Sequence, residues 1–103
     1  MKKDIEEKIK RFEKVLEKEE IPFQRLFLFG SAARDTMHEW SDIDVAVVGP
    51  AFAKDTIDES VLLRRLAYTI DPALDPFPMR PEDLENRFSS IGVAIRKEGI
   101  EIR

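Results

Sequence analysis

Residues 24–48 run QRLFLFGSAARDTMHEWSDIDVAVV, and two strands can be read in them. The first, 24–29, is short, apolar and aromatic and stops at Gly30, the pattern of a buried strand. The second, 42–48, opens on Asp42-Ile43-Asp44, continues as an apolar run and stops at Gly49-Pro50. Between them, Ser31-Ala32-Ala33-Arg34 has the character of a turn opening a short helix. A Gly-Ser bend between a strand and a helix can hold an anion, because the free backbone N–H groups of a helix start point outward with partial positive charge. Glycine lets a phosphate approach the backbone, serine adds a hydroxyl donor, and Arg34 one turn on can add charge-assisted hydrogen bonds. The same strand–bend–helix order occurs in many folds that hold no ligand, so alone it says little.

The acidic pair is more telling. Side chains alternate across a strand, so Asp42 and Asp44 fall on one face and Ile43 on the other. Aspartate is a poor strand former, and two carboxylates this close repel unless cations lie between them. Local rules are broken in this way at functional sites, although an acidic strand start in solvent is the plain alternative. Carboxylate oxygens suit Mg²⁺, which is commonly shared with substrate phosphates. A third carboxylate, Asp75, stands between Leu74 and Pro76-Phe77 in the extended segment 72–78 (PALDPFP). Placed beside the second strand, it would complete a cluster. Asp71, directly before Pro72, reads better as a turn residue.

Working outward, residues 2–20 carry Ile5, Ile9, Phe12 and Leu16 at steps of 4, 3 and 4, one apolar stripe on a charged helix that Pro22 ends. Asp4–Lys8, Glu6–Lys10 and Glu7–Arg11 are acid-before-base pairs at helical spacing. Residues 55–70 form the next helix, with Ile57, Val61, Leu62, Leu66 and Ile70 at helical intervals. The prolines of 72–78 exclude a helix and restrict that segment to a sheet edge. A short helix begins at Pro81, 91–96 can continue as helix, and 99–102 is a final short strand or tail. The element order predicts an α+β fold, a small mixed β-sheet backed by helices, as a single domain over 1–103.

Composition narrows the function. The 103 residues hold 17 Lys+Arg and 21 Asp+Glu, a net charge of −4, which argues against direct nucleic-acid binding. The absence of cysteine excludes a disulfide scaffold, a thiolate metal site and a cysteine nucleophile. The longest apolar runs, 26–29 and 45–48, are too short to span a membrane, and the N-terminus has no signal-peptide core; a cytoplasmic protein is expected. His38 is the sole histidine, so a histidine metal cluster is excluded. His38 itself reads as a solvated loop residue, Trp40 as a cap on the core edge, and Tyr68 as a packing residue. Phe77 and Met79 fit either a partner surface or the sheet edge.

Taken together, Gly30-Ser31, ten intervening residues and Asp42-Ile43-Asp44 resemble the G-S-x10-D-x-D signature of the nucleotidyltransferase superfamily related to DNA polymerase beta. The fuller string GSAARDTMHEWSDIDVAVV is similar to that of the minimal nucleotidyltransferase (MNT) family, and the likeness spans nearly the whole chain. The resemblance implies the polymerase beta-like fold. It implies that Gly30 and Ser31 hold nucleotide phosphates with Arg34 assisting, that Asp42 and Asp44 ligate two Mg²⁺ ions, and that Asp75 is the third acid, reaching the metal near the attacking group and taking its proton. Asp35 stands where the family often has glycine; aspartate tolerates left-handed backbone, but its charge beside a phosphate site is unhelpful.

The resemblance further implies AMP transfer from ATP to a hydroxyl. Larger relatives carry a helical domain that closes over the nucleotide, so here a partner protein, or a second copy in a homo-oligomer, is expected to supply that wall. The implied partner is a helical HEPN-type toxin, modified on a tyrosine, with this chain as its antitoxin. Two rivals stand beside this: a binding module that neutralises a helical partner by steric cover, and a transferase acting on a small molecule.

Overall fold

The computed structural model describes residues 3–34, 41–50 and 56–102. Asp35, His38 and Trp40 lie outside the described residues. The elements run α1 (Lys3–Lys18), β1 (Arg25–Phe29), α2 (Ser31–Arg34), β2 (Ile43–Val48), α3 (Thr56–Tyr68), β3 (Leu74–Met79), a 3₁₀ turn (Pro81–Leu84), α4 (Ser90–Glu98) and β4 (Ile100–Glu101). The result is the mixed α+β architecture that the element order predicts. The segment at 99–102 proves to be strand, paired to β1. The residues after Pro81 form a 3₁₀ turn and then a separate helix, α4, whose start is fixed by Ser89 Oγ accepting from Gly92 N at 3.0 Å.

The sheet order is β3-β2-β1-β4. β1 runs antiparallel to β2 and to β4, while β2 and β3 are parallel. Two apolar layers sandwich the sheet. On one face Ile43, Val45 and Val47 pack with Leu26, Leu28 and the stripes of α1 and α3; on the other, Ala46 and Val48 pack with Phe27, Phe29, Met79, Leu84 and Ile95. Met79 is buried in that second layer, and Phe77 packs its ring on Phe29 at 5.5 Å, so both belong to the core of the sheet.

The α1 stripe is buried as its spacing requires. Of the three charge pairs expected on it, Lys10–Glu6 forms at 3.1 Å, whereas Lys8 turns to Asp71 at 2.6 Å. The helix ends before Pro22 acts: Glu20 takes φ +58, and Ile21 N donates to Leu16 O at 3.0 Å and Glu20 N to Glu17 O at 3.1 Å. That is a Schellman end, with Pro22 just beyond it. In α3 the buried positions are Leu63 and Ala67, while Ile57, Val61 and Leu62 are exposed. Helical spacing marks the helix correctly but not its inward face, since apolar residues occur on both sides.

β3 is an edge strand, as its prolines require. Ile43 N donates to Ala73 O and Gly49 N to Met79 O, so the odd-numbered residues turn their backbone toward β2. Pro76 and Pro78 then fall where an N–H would face outward, and their lack of a donor blunts the free edge.

Candidate active site

The site is assembled where β1 ends and β2 and β3 begin. The register sets Phe29 opposite Asp44 and Asp44 opposite Asp75. Residues level with each other across two strands share a face, so Asp44 and Asp75 project together, and the next residue of β1 brings the Gly30-Ser31 bend alongside. Asp42 precedes β2 and lines an open cleft of about 240 Å³ with Asp75, Arg64, Tyr68, Pro72 and Leu74. Asp71 is at the other end of its turn, accepting from Ala73 N at 2.7 Å and pairing with Lys8; it is a turn residue.

Gly30 is needed here for two reasons. Its φ is +72, a left-handed conformation that side chains resist, and a Cβ at this position would lie 2.3 Å from Asp44 Oδ2. The bend and the carboxylate therefore touch directly. Gly30 O accepts from Ala33 N and Arg34 N, both at 3.1 Å, which opens the single-turn helix α2 at Ser31. Arg34 pairs with Glu98 of α4 at 2.8 Å, and its charge still reaches Asp44.

The electrostatics follow from this crowding. Burial, then the charges of Asp75 and Asp42, push the Asp44 carboxyl up to about 6, against a smaller opposing pull from Arg34. Asp75 is raised as well, chiefly by burial, with Arg64 pulling it down and Asp42 pushing it up. Arg64 Nη2 stands 3.3 Å from Asp75 Oδ1 and supplies part of the neutralisation that a metal would provide. Among the described residues no three His, Cys, Asp or Glu side chains are grouped closely enough to hold a metal ion. Asp75 pairs with Arg64 instead. The donor set is all carboxylate oxygen, the chemistry that Mg²⁺ prefers.

Two residues at the cleft escape the sequence reading. Tyr68 is not a packing residue: it is 67% exposed and lines the cleft. Arg64 sits one helical turn before it. The available signal is the short turn 69–73, which obliges the end of α3 to lie beside the start of β3.

With this geometry in view, residues 4–93 match the nucleotidyltransferase domain. The chain belongs to that family. Among solved structures, this nucleotidyltransferase domain is similar to a toxin–antitoxin protein crystallised with AMP-PNP, at 30% identity and a TM-score of 0.67, covering 95% of this chain and 72% of that one. It is similar in fold to a Sulfolobus solfataricus protein described as a nucleotidyltransferase, at 17% identity and a TM-score of 0.69, covering 95% and 78%. The toxin–antitoxin MntA-HepT also shares the fold, at 24% identity and a TM-score of 0.61, covering 99% and 72%. No curated protein matches the chain. Among the described residues, no helix of this nucleotidyltransferase domain is long and apolar enough to cross a membrane.

Proposed function

We propose that this chain is a Mg²⁺-dependent nucleotidyltransferase of the MNT type, transferring AMP from ATP to a tyrosine hydroxyl of a helical HEPN-type toxin, and so acting as a cytoplasmic antitoxin. The observation that carries the reading is the register placing Asp44 against Gly30 on one side and level with Asp75 on the other. Similarity to a toxin–antitoxin protein crystallised with AMP-PNP supports both the nucleotide class and the partner.

In this reading Asp42, Asp44 and Asp75 would hold the magnesium, two ions on the family pattern. When bound, magnesium neutralises the triphosphate, lowers the pKa of the attacking hydroxyl and stabilises the departing pyrophosphate. The protein itself contributes positioning and charge. Gly30 and Ser31 hold the phosphates on the β1 side, with Arg34 assisting once Glu98 yields it. Asp75, on the β3 side, accepts the proton of the incoming hydroxyl.

Incubated with α-labelled ATP, Mg²⁺ and its helical partner, the chain labels a partner tyrosine, and Asp44→Asn abolishes the labelling. Equal labelling by Asp44→Asn refutes the assignment. The steric-module reading draws on the exposed apolar side of α3 (Ile57, Val61 and Leu62) and on the ion pair occupying Asp75. Calorimetry separates the two: ATP–Mg²⁺ binding that is lost on Asp42→Asn supports the transferase, and no binding at all supports the module.

A further inference from the structure

The sheet order fixes a direction across the site. Gly30-Ser31 follows β1, Asp44 is on β2, and Asp75 is on β3 at the edge. Displacement at phosphorus brings the nucleophile in opposite to the leaving group, so phosphates held at the β1 side leave the β3 side for the acceptor. What this chain itself places there is Tyr68. It is the sole tyrosine of the sequence, and it lines the cleft together with Asp42 and Asp75. It reaches this position because α3 and β3 are joined by the tight turn that Asp71 fastens through its bond from Ala73 N. Its 67% exposure leaves the ring unconfined by core packing. Ser60, also on α3, lines the adjoining hollow with Ile57, Val61 and Arg64, which none of the aspartates lines.

Resting on the transferase reading above, we propose that Tyr68 is an internal acceptor and that the chain adenylylates itself there. Tyr68 Oη attacks the α-phosphorus of ATP and forms the new O–P bond. The bond from that phosphorus to the oxygen bridging the β-phosphate breaks, and its electron pair leaves on pyrophosphate. The phenolic proton passes to the Asp75 carboxylate and on to water. The products are Tyr68 O-AMP and pyrophosphate. The added phosphodiester puts one negative charge beside Arg64 and fills the acceptor side of the cleft, so self-modification would compete with an external hydroxyl.

The test uses the purified chain, α-labelled ATP and Mg²⁺ with no other protein, followed by intact mass and peptide mapping, with calorimetry of ATP–Mg²⁺ in parallel. The expected result is one AMP per chain on the peptide bearing Tyr68, at a rate per chain that is unchanged on dilution. Tyr68→Phe, which keeps the ring, should reduce incorporation to background. ATP–Mg²⁺ binding without any adduct, an adduct elsewhere, or a rate that falls on dilution overturns self-transfer to Tyr68 while leaving the proposed function standing. No ATP–Mg²⁺ binding overturns both.

Discussion

Asp44→Asn should make the protein more stable while removing its chemistry. In the fold the Asp44 carboxyl is pushed from 3.8 to about 6 by burial and by Asp75 and Asp42. A raised acid favours the protonated form in the folded state. Below the unfolded value there is no penalty; as pH climbs from about 4 to about 6 the unfolded chain ionises first, and stability falls. Above about 6 the whole penalty is present. The rise corresponds to roughly 3 kcal/mol at most, and solvent screening at this half-buried site reduces it to about 1–2 kcal/mol. Asparagine fits the same space over Gly30 without the charge. Urea unfolding in chelator should therefore find Asp44→Asn more stable than the wild type by about 1–2 kcal/mol near pH 7.5, with the gap closing near pH 4. Mg²⁺ at about ten times its dissociation constant should return about 1.4 kcal/mol to the wild type and little to the variant. A variant no more stable than the wild type near neutrality, or a gap that does not change with pH, refutes the argument that this carboxylate is held against its own electrostatic cost.

Gly30→Ala combines a left-handed backbone with a Cβ driven into Asp44 Oδ2; it should cost about 2–3 kcal/mol, read as a fall in the urea midpoint. Arg64→Gln removes the cation at 3.3 Å from Asp75, so that carboxyl should titrate at higher pH than in the wild type, followed by carboxyl-carbon NMR; an unchanged titration would show that the ion pair does not persist in solution. Glu20→Gly relieves a side chain at φ +58 in the Schellman end of α1 and should stabilise the fold by about 0.5–1 kcal/mol in the same unfolding assay.

Much of the candidate site is legible in the sequence because its parts are local. A strand that stops at Gly-Ser, and an acidic pair two residues apart at the head of an apolar strand, are patterns set by backbone geometry and alternation, which act over a few residues. The prolines of 72–78 likewise announce an edge strand, since a missing N–H can be tolerated only there. Misreadings arose where a side chain's fate depends on something remote. A place on a helix points Tyr68 to packing, and helical spacing pairs Lys8 with Asp4, whereas the fold exposes Tyr68 and brings Lys8 to Asp71.

The sequence alone determined the main strands and helices, that the 72–78 segment lies at an edge, and which acids are candidates for a cation site, because these depend on residue type and short-range spacing. Tertiary structure decided that β3 runs parallel to β2 with Asp75 level with Asp44, that Arg64 pairs with Asp75, and that Tyr68 lines the cleft. Those outcomes rest on strand register and on which side of α3 meets the sheet, and both are chosen by burying the most apolar surface across the whole chain rather than by any stretch of it.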